Sequence, residues 1–183
     1  MKQQPLVFIT SNMNKVKQVQ MHLDHPVEHV NLDLTEMQSL DPMKIVEQKA
    51  KEAYQHIKKP VLVEDTSLIF NALGKLPGPF IKWFLEEIGN EGICRMLDNY
   101  SDRSAIAWIL FAYYDGSSVH IFDVKQQGTI TNHPQGEDGF GWNHIFIPDG
   151  ETKTFAEMGQ EEKDRTSLRK RALIKLDKFL KQS

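Results

Sequence analysis

Three uninterrupted apolar runs limit what this chain can fold into. They are residues 6–10 (Leu-Val-Phe-Ile-Thr), residues 61–63 (Val-Leu-Val) and residues 104–114, where only the first is polar before Ala-Ile-Ala-Trp-Ile-Leu-Phe-Ala-Tyr-Tyr. A strand that alternates can leave one face in water. A strand that does not alternate needs cover on both faces. Each run is far shorter than the roughly 20 apolar residues of a membrane-spanning helix. The runs therefore predict buried strands in a sheet with helices on its faces.

The segments between them supply those helices. After the first run, Ser11-Asn-Met-Asn14 has turn and capping chemistry, and Val16, Val19, Gln20 and Leu23 follow at helical spacing. This predicts a helix over 14–23, stopped before Pro26, and a second strand over 27–34. Asp41-Pro42 marks the start of a helix running to about Ile57. Helices are predicted over 80–88 and 91–97 after a loop rich in Gly and Pro. Asp115-Gly116 predicts a hairpin leading to a strand over 119–124, continued past a bulge by 128–131. A short strand over 145–147 precedes a final helix, capped by Thr166 or Ser167. Its apolar stripe is Leu168, Ala172, Leu173, Leu176, Phe179 and Leu180. Alternating strands and helices with a central hairpin predict a mixed α/β protein. No repeat or linker interrupts the 183 residues, so residues 1–183 are expected to form one domain.

Charge narrows the partners. Lys and Arg total 22 against 25 Asp and Glu, a net charge of −3. That balance gives no reason to expect a nucleic-acid polymer or an anionic membrane as partner. The single cysteine, Cys94, excludes an intramolecular disulfide and fits a reducing compartment. The first residues lack the apolar core and cleavage site of a signal peptide. A cytoplasmic protein is expected.

Four segments carry groups that could do chemistry. Val61-Leu-Val-Glu-Asp-Thr66 brings Glu64 and Asp65 to the expected end of a buried strand, where α/β sheets bind ligands. Two carboxylates there suit a hard cation, or one could activate a water; a strand running out into a solvated turn has the same pattern. Thr10-Ser-Asn-Met-Asn-Lys15 suits a phosphate at a helix N-terminus and equally a simple helix cap. Its spacing is not that of a P-loop. Gly136-Glu-Asp-Gly-Phe-Gly-Trp-Asn143 offers close backbone approach and aromatic faces, or an ordinary loop. Lys163, Arg165, Arg169, Lys170 and Arg171 fit a polyphosphate or a solvated helix face. His22, His25 and His29 have metal-ligand spacing, but Pro26 breaks the helix that would align them. Glu86-Glu87 does not form a Nudix box, because Trp83 stands where that box needs its first glutamate.

Taken in order, these segments resemble the inosine triphosphate pyrophosphatase family. Thr10-Ser-Asn-Met-Asn-Lys15 is similar to its opening Thr-x-Asn-x-x-Lys motif. Val63-Glu-Asp-Thr-Ser-Leu68 and Phe70-Asn-Ala-Leu-Gly-Lys-Leu-Pro-Gly-Pro-Phe-Ile-Lys-Trp-Phe84 follow its eukaryotic-type signature. Phe140-Gly-Trp-Asn143, Phe155-Ala-Glu-Met158, Glu162-Lys163 and Ser167-Leu-Arg169-x-Arg-Ala172 resemble its C-terminal motifs. The likeness runs over 6–180.

The resemblance implies a two-lobed α/β fold on a long mixed central sheet flanked by helices, with an active-site cleft between the lobes. It also implies a homodimer. The implied reaction is Mg²⁺-dependent cleavage of a nucleoside triphosphate to the monophosphate and pyrophosphate, which cleanses the nucleotide pool of ITP, dITP and XTP. Carried over by motif, Asp65 is the water-activating carboxylate, Glu64 supports it, and Glu36 and Asp65 are the metal ligands. Thr10, Ser11, Asn12, Met13, Asn14, Lys15, Lys49, Thr66, Lys82, Lys163 and Arg169 are implied to hold the nucleotide. Phe140, Gly141, Trp142 and Asn143 are implied to shape the base pocket, with Leu168. Two positions depart from the family pattern. Asn143 stands where the family usually has Asp, and Leu168 where it usually has His. Asn143 can donate and accept, whereas Leu168 does neither. The departures leave open the same chemistry on a 6-amino or modified purine, or a nucleotide-binding relative that does not cleave.

Overall fold

All four side chains of strand β1 (Leu6–Ile9) are buried, as the lack of alternation requires. In the computed structural model, which describes residues 5–182, β1 runs parallel to β2 (Val27–Val30) and to β3 (Val61–Phe70). Parallel neighbours need crossovers. Helix α1 (Met13–His22) connects β1 to β2, and α2 (Pro42–Ile57) connects β2 to β3. Asp41 caps α2 by accepting from the Met43 N–H at 3.1 Å, and Pro42 takes the first helical position, where no donor is needed.

The other elements are β4 (Pro77–Gly78), α3 (Ile81–Arg95), β5 (Ser104–Tyr114), β6 (Val119–Ile130), β7 (Phe146–Pro148), α4 (Gln160–Thr166) and α5 (Leu168–Leu180). The strand order is β2-β1-β3-β5-β6-β7, with β4 on β3. Pairs β3–β4 and β6–β7 are antiparallel, so the sheet is mixed, as the family resemblance implies. The chain forms two compact units. One comprises the stretch ending at Asp65, Ile109–Val124 and the stretch from Leu168 onward. The other comprises Thr66–Trp108 and Lys125–Ser167.

The first unit buries one stripe from each helix: Val16 and Val19 of α1, Ile45, Val46, Ala50 and Ala53 of α2, and Ala172, Leu173 and Leu176 of α5. Phe8, Leu62, Val63, Leu110 and Phe111 of the strands are buried with them, and the Phe8 and Phe111 rings lie 6.3 Å apart. Burying each large side chain contributes roughly 1.5–3 kcal/mol. The second unit buries Phe70, Ile93, Leu97, Ile130, Ile145 and Phe146. Arg103 finishes it by donating to three backbone carbonyls, those of Cys94, Ile130 and Thr131, at 2.7–3.0 Å.

Several boundaries differ from expectation. β2 stops at Val30, and residues 31–40 have no regular structure. The two helices expected over 80–88 and 91–97 are one element, α3, broken at Gly89 (φ 63°, ψ 179°), a left-handed backbone that glycine permits. β6 runs unbroken over 119–130. Helix α4 was not anticipated, and Thr166 ends it rather than opening the last helix. The consequential difference is in β3. It does not end at Glu64 and Asp65 but continues through them to Phe70.

Candidate functional site

That extension puts the two carboxylates in mid-strand. Successive side chains of a strand point to opposite faces, so neighbours in sequence meet different partners. Glu64 meets α1 and α5, and Asp65 meets α2.

On the first face, Arg169 of α5 is 7% exposed and grips Glu64 at two points. Its Nε donates to Oε2 at 2.9 Å and its Nη2 to Oε1 at 2.8 Å. Lys15 Nζ stands 3.2 Å from the same Oε1. The third edge of the guanidinium donates from Nη1 to Gln18 Oε1 at 2.6 Å. Burial by itself would push the Glu64 carboxyl up. The fields of Arg169 and then Lys15 outweigh it and hold the group at about 2.

On the second face, Lys49 Nζ lies 3.6 Å from Asp65 Oδ1 and 2.8 Å from Glu36 Oε1. Asp65 Oδ2 is buried and has no hydrogen-bond partner. Burial pushes the Asp65 carboxyl up to about 6, against the pull of Lys49 and Lys15 and with the help of Glu36 and Glu64. Lys49 responds the other way: burial lowers it, but Asp65 and Glu36 more than compensate and its pKa is raised. One strand thus holds adjacent carboxyls shifted in opposite directions.

The β1–α1 turn completes this unit's polar surface. Thr10 N–H donates to Val30 O at 3.2 Å. The Thr10 carbonyl can only accept, so His29 Nε2 is the donor at 2.7 Å. Asn12 N–H donates to Thr10 Oγ1 at 3.1 Å. Asn12 Oδ1 accepts from the N–H groups of Asn14 at 2.9 Å and Lys15 at 3.4 Å. Of the two readings left open for this segment, the helix cap is realised in these bonds. Ser11, Met13 and Asn14 are exposed.

The first unit therefore gathers Thr10, Ser11, Asn12, Met13, Asn14, Lys15, Glu36, Lys49, Glu64, Asp65 and Arg169. Leu168 opens α5 beside Arg169 and is 3% exposed. Arg169 corrects one alternative, since it does not lie on a solvated helix face.

Thr66, Lys82, Phe140, Gly141, Trp142, Asn143 and Lys163 belong to the second unit. Lys82 is exposed on α3, 3.9 Å from Glu86, with its ammonium 5.0 Å from the Trp83 ring centre. Phe140 leads into a 3₁₀ turn, Gly141–His144. The Gly141 carbonyl accepts from Asn90 Nδ2 at 3.0 Å, and the Asn143 carbonyl accepts from Ala156 N–H at 3.0 Å. Trp142 packs edge-on against Phe146, with ring centres 5.6 Å apart, and 6.1 Å from Phe155. Lys163 lies in α4, where its N–H donates to the Gly159 carbonyl.

Gln18 and Asn90 were not found from the sequence. Gln18 falls three residues after Lys15 on one helix face, a spacing that could have drawn attention to it. Asn90 follows the Gly89 break and has no comparable signal.

Among the described residues, no group of three or more His, Cys, Asp or Glu side chains is placed to hold a metal. The pair Glu36 and Asp65 nonetheless suits a hard cation. Mg²⁺ commonly takes only one or two protein carboxylates, with phosphate and water completing the shell, and Asp65 Oδ2 is an orphaned oxygen donor.

The fold has counterparts among solved structures. A Ham1 protein from Coxiella burnetii superposes with a TM-score of 0.86 at 24% identity, covering 98% of this chain and 100% of the other. The Ham1 protein of Staphylococcus aureus gives 0.85 at 24% identity, covering 97% and 98%. The Ham1 family model matches residues 6–179, and the chain belongs to that family. Among curated relatives, inosine triphosphate pyrophosphatase 1 of Trypanosoma cruzi is 46% identical over 175 residues, covering 93% of this chain and 89% of that protein. The inosine triphosphate pyrophosphatase of Yarrowia lipolytica is 45% identical over 182 residues, covering 96% and 95%.

Proposed function

We propose that this protein hydrolyses nucleoside triphosphates at the α–β phosphoanhydride, releasing the monophosphate and pyrophosphate. The observation that carries this reading is Asp65, whose Oδ2 is buried without a hydrogen-bond partner and whose Oδ1 lies 3.6 Å from Lys49 Nζ, with burial raising the carboxyl to about 6. A base near the working pH can accept a water proton and still be ionised. Attack at phosphorus otherwise needs positioning and charge neutralisation, which suits Lys15, Lys49 and the α1 N-terminus. Family membership and relatives named inosine triphosphate pyrophosphatase support the same reaction.

In this reading Asp65 orients and deprotonates the attacking water. Glu36 and Asp65 would hold Mg²⁺, which would supply charge neutralisation on the phosphate oxygens. Glu64 is a positioning residue: fixed as an anion at about 2, it is a poor proton acceptor but sets Lys15 and Arg169 in place. Phe140, Gly141, Trp142 and Asn143 contribute to the base pocket, and Thr66, Lys82 and Lys163 to nucleotide contacts. The protein works as a homodimer in the cytoplasm. Among the described residues no helix is long and apolar enough to cross a membrane.

The substrates are non-standard purine triphosphates such as ITP, dITP and XTP. A second reading, with a 6-amino or modified purine preferred, is favoured by Leu168, which is buried and offers no hydrogen bond. Pyrophosphate release measured over ITP, XTP, dATP, ATP, GTP, dUTP and dTTP tests both. Release from ITP and XTP foremost supports the first; release from dATP or ATP foremost supports the second. Nucleotide binding without release from any of them overturns the hydrolytic reading.

A further inference from the structure

Lys49 sits where a cation would be expected. Its ammonium bridges the two carboxylates, 2.8 Å from Glu36 Oε1 and 3.6 Å from Asp65 Oδ1. Its side chain is 13% exposed, so water screens these contacts only partly. Glu36 lies in the irregular stretch over 31–40, and Lys49 lies on α2. The salt bridge therefore ties that stretch to the helix. Asp65 Oδ2, on the same carboxyl group, is buried without a partner.

A divalent cation and an ammonium cannot share one pair of carboxylates. Two like charges a few ångströms apart in a largely desolvated site repel strongly. The ammonium offsets one unit of the pair's negative charge and a divalent ion two, and each disfavours the other.

We infer that Lys49 is an internal occupant of the cation site, offsetting part of the charge of Glu36 and Asp65 until a divalent ion displaces it. This rests on the proposal that these two carboxylates hold the metal. Displacement leaves a largely desolvated ammonium in need of a new anionic partner. A polyphosphate supplies one. Metal alone must therefore enter against Lys49, whereas metal arriving with a polyphosphate does not leave the lysine stranded. By linkage, each ligand then raises the affinity of the other. Lys49 thus disfavours idle metal loading and couples cation entry to the arrival of the anionic ligand.

The test is Mn²⁺ binding to the full chain without nucleotide, followed by titration calorimetry and by the relaxation of water protons. Wild type is compared with Lys49→Met, Lys49→Gln, Lys15→Met and Lys49→Met combined with Asp65→Asn, each checked for folding by circular dichroism. The inference expects Mn²⁺ to bind Lys49→Met and Lys49→Gln about tenfold or more tightly than wild type. Lys15→Met removes an equal charge that pairs with Glu64, and is expected to change affinity by much less. Equal tightening in the Lys15 and Lys49 variants overturns the inference, because the effect is then a general field. Unchanged or weaker binding in both Lys49 variants also overturns it. Should Mn²⁺ binding to Lys49→Met not weaken when Asp65→Asn is added to it, the metal assignment itself fails and the inference falls with it.

Discussion

Glu64 and Arg169 lie 105 residues apart in sequence and meet in a two-point ion pair, with contacts of 2.9 and 2.8 Å. Both are buried, so neither charge can fall back on water if the other is lost. Removing one partner of such a pair costs about 3–5 kcal/mol. Glu64→Ala is expected to lose that much in urea denaturation at neutral pH. A loss under about 1 kcal/mol would mean that solvent reaches the pair.

The same pair governs acid stability. The Glu64 carboxyl is held at about 2 against an ordinary value of 4.5. A depressed carboxylate binds fewer protons folded than unfolded, so its contribution is complete above about 4.5 and is lost as pH falls toward 2. The difference amounts to roughly 3 kcal/mol. Denaturation midpoints measured across that window are expected to fall steeply in wild type. In Glu64→Gln the slope should flatten, from a lower starting stability.

Asp65 titrates in the opposite sense. Its carboxyl is raised to about 6, so the folded state takes up a proton before the unfolded state does as pH falls. Stability gained from protonating it is fully present below about 3.8 and is lost as pH rises through 6. Activity follows the deprotonated form. The rate at saturating substrate is expected to decline as pH drops below about 6, and a bound cation moves that decline lower. Asp65→Asn should reduce turnover by about 10²–10⁴-fold. Retention of more than a tenth of wild-type turnover would remove Asp65 from the base role.

Base preference offers a separate measurement. Asn143→Asp combined with Leu168→His restores the acidic and imidazole groups usual in the inosine triphosphate pyrophosphatase family. The double variant is expected to raise kcat/KM for ITP relative to dATP by about 5- to 150-fold, the span of one buried polar mismatch. An unchanged ratio would locate base selection in other residues.

The Asn12 cap is a smaller and more local matter. Asn12→Ala leaves the Asn14 N–H without its side-chain acceptor, while the Lys15 N–H keeps the Asn12 carbonyl at 3.1 Å. A loss of about 1 kcal/mol is expected in thermal or urea unfolding. No measurable loss would show that water replaces the cap without cost.

Much of this was readable in the chain. The unbroken apolar runs announced buried strands, and β5 spans Ser104–Tyr114 as expected. Asp41-Pro42 located the start of α2 because capping is chemistry local to a few residues. The site was legible as motifs rather than as geometry. Sequence put Glu64 and Asp65 at a strand terminus, since two charged residues after Val63 look like an exit into water. What keeps β3 going is non-local. Arg169 and Lys15 neutralise Glu64, Lys49 and Lys15 offset the burial of Asp65, and none of them is near 64 or 65 in the chain. The helix α4 was missed because its seven residues carry no apolar stripe. Gln18 was missed because its importance comes entirely from the guanidinium it meets.

Alternation along β3 has an evolutionary corollary. One peptide separates a carboxylate fixed as an anion from one that titrates near 6, and nothing intrinsic to Glu or Asp assigns those roles. The assignment comes from the pairing of Ile9 with Val63 one residue upstream. A one-residue deletion between Val61 and Glu64 would move Asp65 to the position that faces Arg169, and a one-residue insertion there would move Glu64 to the position that faces Lys49. The reading frame of this strand is therefore as much a part of the chemistry as the side chains it carries. Length changes here should be far less tolerated than substitutions that keep the count.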